Sequence, residues 1–257
     1  MKITRIYQII IALLVGIIIL QWFFIVEKCK RLPHSSGRIR GKIAIVIDDW
    51  GYNLHNLPVA EKIRQNFTVA ILPNLPYSSY ISQRLKEHGV EIALHLPLEP
   101  MEKYRLEKNT IFINSSREDI LRILNDDLAS VKYARGVSNH MGSRATGDER
   151  VMRIIFSELK RRRLYFLDNM DTHKSVCGQV AKEVGLAWGR RGVFLDNSKN
   201  AEYIKGQFFK LKRLARKYGQ AIGVGHDNKV TVETLKGLMA EAEKEGYQFV
   251  FLSGLLK

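Results

Sequence analysis

Cysteine and proline are both scarce in this chain, with two of the former and six of the latter among 257 residues. Cys29 and Cys177 are too few and too far apart in context for a disulfide framework, and no zinc-finger spacing occurs. Cys29 also lacks the small residues that precede a lipid-modified cysteine. With so little proline, 46% hydrophobic residues and 9% aromatics, the composition excludes a disordered or collagen-like chain. Also missing are a Gly-rich phosphate loop of either common spacing and an aromatic ribonucleoprotein pattern, so no nucleic-acid motif is present. No repeat appears beyond an alternation of short and long segments described below. What remains is a folded protein with room for an anchor and one sizeable domain.

One stretch lacks charge altogether. Residues 6–26 (IYQIIIALLVGIIILQWFFIV) are uncharged, and at about 1.5 Å per helical residue they span roughly the 30 Å hydrocarbon core of a bilayer. The run is longer than a signal-peptide core and no small-x-small cleavage site follows, so it is expected to stay as a transmembrane anchor, preceded by a flank at 1–5. A basic linker, 27–41, leads to the domain at 42–257. The formal charge of +15 divides into +6 in the first forty residues, seven Lys/Arg less Glu27, and +9 in the domain. The basic runs Lys160–Arg163 and Lys210–Lys217 read as solvated helix faces, with attraction to anionic lipid or an acidic polymer as the sharper reading.

In the domain, β-rich apolar runs alternate with segments of helical period, the pattern of βα units. Expected strands are 42–47, 67–72, 90–95, 135–139, 164–168, 193–195, 221–225 and 248–252. Expected helices are 56–65, 78–88, 116–131, 148–162, 175–186, 199–218 and 231–245, several opened by Ser, Asp or Thr. Strands with little polar alternation are buried on both faces, as in parallel sheets covered by helices. Polar residues recur at the carboxyl ends: Asp48 and Asp49, His95 and Glu99, Asn139 and His140, Asp168, Asp196, and His226 with Asp227. A parallel barrel gathers such ends at one mouth, whereas an open sheet spreads them along an edge. The expectation is an α/β fold, a distorted (β/α) barrel of seven to eight strands behind one transmembrane helix.

A lone Asp after a strand is commonly an N-cap, and a lone His a satisfied core residue. Two adjacent carboxylates and two histidines from other strands offer more. Side chains alternate along a strand, so Asp48 and Asp49 share a direction only if the strand has ended, which Gly51 suggests. One carboxylate could bind a divalent cation while the other takes a proton. His95 and His140 with one carboxylate would leave open positions on that ion. His226, after AIGVG, suits a second proton carrier, with metal ligation as its rival reading.

The segments IAIVIDDWGYN, TVAILP, LHLPLEP, VSNHMGSRAT, YFLDN, VFLDN and IGVGH together resemble the divergent polysaccharide deacetylases, distant relatives of the nodulation-type chitooligosaccharide deacetylases, over about residues 41–254. The resemblance implies a distorted (β/α) barrel in which a metal-bound water attacks an N-acetyl carbonyl. It implies Asp49, His95 and His140 as ligands of a divalent metal, zinc by the donor types, Asp48 as base and His226 as the acid for the leaving amine. The wider family has a second histidine four residues after the first, where this chain has Glu99, an oxygen-ligand candidate. Arg144 could orient a base or hold an acidic sugar group, and Asp168 and Asp196 could brace the site.

The expected activity is thus removal of acetyl groups from an envelope polysaccharide; the alternative is a barrel that binds glycan or an envelope protein without turnover. Lys28, Lys30, Arg31, Arg38 and Arg40 outnumber Lys2 and Arg5, so the charge rule favours an internal domain. The implied substrate lies outside, and an exported domain is the expectation carried forward.

Overall fold

The structure, a computed structural model, describes residues 39–256. The expected anchor at 6–26 lies outside the described residues, among which no helix is long and apolar enough to cross a membrane.

The described residues form nine strands and seven α-helices: β1 (Gly41–Trp50), α1 (Leu57–Ala60), β2 (Thr68–Ile71), α2 (Ser78–Glu87), β3 (Glu91–Leu98), α3 (Arg117–Ser130), β4 (Ala134–Met141), α4 (Glu149–Arg161), β5 (Tyr165–Asp168), α5 (Cys177–Val184), β6 (Trp188–Arg190), β7 (Val193–Phe194), α6 (Ala201–Tyr218), β8 (Gln220–His226), α7 (Lys229–Lys244) and β9 (Tyr247–Phe249). Polar side chains start the longer helices. Ser116 Oγ accepts from Asp119 N–H, Asp148 Oδ1 from Val151 N–H, and the Asn200 and Asn228 side chains cap α6 and α7 in the same way. Each such cap is worth about 1 kcal/mol.

Every strand pairing is parallel, in the order β6-β5-β4-β3-β2-β1-β8-β7, with β9 added beside the start of β1. The two ends of this path, β6 and β7, are separated in sequence only by Arg191 and Gly192. A link that short spans roughly 10 Å at most, so the sheet must curl until its edges lie side by side. No ladder joins those edges, and the barrel is distorted in that sense.

Alternation along the strands sorts the core into two layers. Ile43, Ile45 and Ile47 of β1, with Ile92 and Leu94 of β3, face the helices. Ala44 and Val46, Ala70, Ala93, Tyr165 and Leu167, and Ile222 and Val224 fill the barrel interior, closed below by Leu252 and Leu255. Small residues dominate several interior positions because eight tilted strands leave little width.

Four expectations need correction. The segment at 188–190 is a strand, too short for its alternation to register in the sequence. The helix expected at 56–65 is a single turn. The last strand ends at Phe249, and the chain then turns through a 3-10 helix at Leu252–Gly254. β3 and β4 run on to Leu98 and Met141, because their ladder continues through Leu96, Pro97 and Leu98 against Asn139, His140 and Met141. His95 therefore lies within β3 and not at its end.

Candidate metal centre

The period of two that sends Ala44 and Val46 into the barrel sends Asp48 there next, level with His226 of β8. Asp49 should then point out to the helices. The sequence reading had the strand end first, yet β1 continues to Trp50. Asp49 instead takes a left-handed conformation, φ +66°, and the β1–β2 register breaks between Ile47 and Trp50. Asp is among the few non-glycine residues that tolerate this region. The twist turns a second consecutive carboxylate toward the mouth.

His95 follows Ala93 in the same inward phase of β3, and His140 follows Ser138 in β4. Asp49 Oδ1 stands 3.2 Å from His95 Nε2 and 3.1 Å from His140 Nδ1. One ligand atom from each of the three residues lies within 4.8 Å of the others. Two ligands about 2.1 Å from a shared tetrahedral ion lie roughly 3.4 Å apart, so these spacings suit a common cation. Asp49 Oδ1 is buried and makes no aligned hydrogen bond, which leaves its lone pairs available to an ion. His95 Nδ1 lies 2.8 Å from Ser138 Oγ; donation to that hydroxyl leaves the Nε2 lone pair facing Asp49. The two nitrogens, one carboxylate and burial make a donor set that fits a divalent transition metal.

Charge is balanced tightly here. Burial pushes the Asp49 carboxyl up, but the close approach of His140 and His95 outweighs it and holds the group well below the usual carboxylate range. Burial likewise opposes a charge on His95, yet Asp48 and Asp49 raise its pKa above the ordinary value. The acid pair thus draws positive charge to the point where a cation would sit. Asp48, fully buried, is pushed up chiefly by desolvation. Its Oδ2 accepts from Asn169 Nδ2 at 2.8 Å and lies 3.7 Å from His95 Nε2, while Oδ1 has no partner.

Across the mouth, His226 Nε2 lies 4.0 Å from Asp49 Oδ2. Its Nδ1 is held by Asp196 Oδ1 at 3.0 Å, and Asp196 Oδ2 accepts from His226 N–H and Thr231 Oγ1. Burial works against protonation, but the Asp196 hydrogen bond and the Asp49 charge raise the His226 pKa to about 9. The imidazole and the Phe194 ring meet nearly perpendicular, centroids 5.0 Å apart. Asp48, Asp49, His95, His140 and His226 line a cavity of about 360 Å³ together with Tyr104 and Phe194.

Three expected residues lie elsewhere. Glu99 accepts from Ile113 N–H at 2.6 Å and from Arg144 at 3.0 Å, so these two candidates brace each other, and neither lines the cavity. Asp168 accepts from Met170 N–H and Ser175 Oγ, shaping its own loop. Its neighbour Asn169, next in the inward phase after Tyr165 and Leu167, is the one that reaches Asp48. Ser138, Asn169 and Thr231 were missed by sequence reasoning. Asn139, a strand-end residue in the sequence reading, donates to Asp171 at 2.8 Å on the cavity wall, and Asp171 was missed as well. Inward phase would have marked Ser138 and Asn169; nothing local marks Asp171.

A parallel α/β barrel with a carboxylate and two imidazoles gathered in the carboxyl-terminal halves of its strands has the layout of a hydrolase-type metal site. The family model of the divergent polysaccharide deacetylases matches residues 45–256, and the chain belongs to that family. It is 37% identical over 208 residues to the uncharacterised protein YibQ of Escherichia coli K12, covering 81% of this chain and 65% of that one. The chain thus spans just under two thirds of that relative. An uncharacterised protein from Agrobacterium tumefaciens C58 has the same fold, with TM-score 0.81 and 25% identity over 87% of this chain and 92% of that one. The catalytic domain of a peptidoglycan N-acetylglucosamine deacetylase from Eubacterium rectale shares the fold more distantly, with TM-score 0.52, 16% identity and 82% and 88% coverage. So does a family 4 carbohydrate esterase pseudoenzyme from Bacillus anthracis, with TM-score 0.53, 12% identity and 84% and 66% coverage.

Proposed function

We propose that this domain removes acetyl groups from an N-acetylated envelope polysaccharide, using zinc held by Asp49, His95 and His140. The observation that carries the reading is the convergence of those three side chains beside a second, buried carboxylate whose Oδ1 has no partner. A divalent ion bound there would polarise the amide carbonyl and acidify adjacent water. Asp48 Oδ1 takes the proton that water loses as its oxygen bonds to the carbonyl carbon. Asn169 fixes the other Asp48 oxygen, so the free one keeps its aim. His226, held as an imidazolium by Asp196, gives its Nε2 proton to the departing nitrogen as the C–N bond breaks. The products are acetate and a free amine on the glycan. The reading also places the domain outside the cytoplasmic membrane, tethered by residues 6–26; digestion of the domain by protease added to intact spheroplasts is the expected sign of that orientation.

The test is acetate release from N-acetylated oligosaccharides by the full chain after chelation and after zinc is restored. Zinc-dependent release, reduced at least about 100-fold in Asp48→Asn, supports the reading. Glycan binding without release under any divalent metal would make the protein a binding barrel instead.

A further inference from the structure

The end of the barrel opposite the metal cluster carries a second cavity of about 360 Å³, as large as the first. It opens where strands begin: Arg135 lies at the start of β4, Tyr165 opens β5, and Lys160 and Arg163 come from the end of α4 and the turn after it. Three cations line it and no carboxylate does. Among the described residues none of the three forms an ion pair; Lys160 Nζ donates to Val184 O. The buried Glu91 carboxylate behind Tyr165 accepts from Thr68, from Tyr165 OH and from both the N–H and the hydroxyl of Ser253, so its hydrogen-bonding capacity is already used.

Basic groups at helix C-termini are ordinarily explained by the helix dipole. That does not account for Arg135, on a strand, or for Arg163, which lies outside any helix at φ +59°. Leu164, Leu186 and Leu256 supply an apolar wall beside the charges, a combination that fits an amphiphile with an anionic head. The same end of the barrel carries Arg216 and Lys217 at the close of α6 and Lys244 at the close of α7. The chain also enters the domain here, at Gly41, directly after the basic linker and the uncharged 6–26 run.

We propose that this cavity binds the phosphate headgroup of an anionic phospholipid, docking the domain on a bilayer with the metal site facing away from it. The lipid source is favoured over free phosphate by the apolar wall and by the covalent link to the uncharged, apolar run at 6–26. The docking holds whether or not the metal site turns over.

The test reads hydrogen exchange in peptides covering Arg135, Lys160–Arg163 and Gly185–Ala187, using the full chain in nanodiscs of phosphatidylcholine with or without about one third phosphatidylglycerol. Exchange is expected to slow only in the anionic discs. Each basic residue near such a surface is worth about a fivefold factor, so Arg135→Gln with Arg163→Gly weakens docking about thirtyfold. Glycine adopts φ +59° freely, so this variant keeps the turn, which unchanged exchange elsewhere verifies. Lys199→Gln with Lys229→Gln removes the same charge at the mouth end and is expected to leave docking unchanged. Equal protection in neutral discs, or equal loss in the lysine variant, overturns the proposal. Protection by soluble glycerol phosphate in neutral discs equal to that in anionic ones assigns the cavity to a free phosphate and overturns the lipid assignment.

Discussion

Replacing Asp196 by asparagine changes one oxygen into an NH2 group and, on this structure, decides whether His226 can carry a proton. Asp196 is almost wholly buried and uses both oxygens: Oδ2 serves His226 N–H and Thr231 Oγ1, while Oδ1 serves His226 Nδ1. An asparagine oxygen must stay with the two donors that need an acceptor, so its NH2 faces Nδ1. Nδ1 then has to accept, and the imidazole is held neutral with its hydrogen on Nε2. The His226 pKa, raised to about 9 chiefly against burial by this hydrogen bond, should fall to 6.5 or below. At pH 7.5 the imidazolium is favoured about thirtyfold in the native protein, and about one molecule in ten or fewer carries it in the variant. The assay is an NMR titration of the imidazole C–H signals in metal-free protein, with His226→Ala identifying the resonance. Acetate release at pH 7.5 should fall at least about tenfold in parallel, following the protonated fraction. A His226 that still titrates near 9 in Asp196→Asn would refute the reasoning.

Two further predictions concern stability. Asp127 is fully buried, accepts from Asn74 and Asn109 through Oδ1 and leaves Oδ2 without a partner, and burial pushes its pKa to about 6. Because the folded pKa exceeds the unfolded one, its contribution to stability is full below about pH 4 and is lost as pH rises through about 6. Asp127→Asn should remove roughly 2–3 kcal/mol of that loss, read as a flatter unfolding free energy between about pH 4 and 7 in denaturant titrations. Gly136→Ala would put a Cβ 2.2 Å from the Tyr165 ring, inside the barrel where little can yield. A cost of about 1–3 kcal/mol is expected in the same assay, and an unchanged midpoint would show that the ring moves freely.

Most of the fold was legible because burial on both faces leaves uninterrupted apolar strands, and alternation with capped helices then dictates parallel pairing. Trp188–Arg190 escaped because three residues carry no period. The acid pair was visible, but the device that aims both carboxylates was not. The positive φ at Asp49 coincides with the register break against β2, a tertiary feature that no local pattern encodes. Asp168 was chosen over Asn169 because carboxylates attract attention as ligands, whereas the pleat, which decides direction, favours the asparagine. Glu99 drew notice through its four-residue spacing from His95; Leu98 ends the strand between them, and Glu99 turns instead to Ile113 and Arg144.

Zinc-edge X-ray absorption on full chain loaded with one equivalent of zinc tests the central claim most directly. The account predicts two imidazole nitrogens and a carboxylate oxygen at about 2.0–2.2 Å, with one imidazole lost in His140→Ala. A shell of oxygens alone, or a spectrum unchanged by His140→Ala, would contradict it.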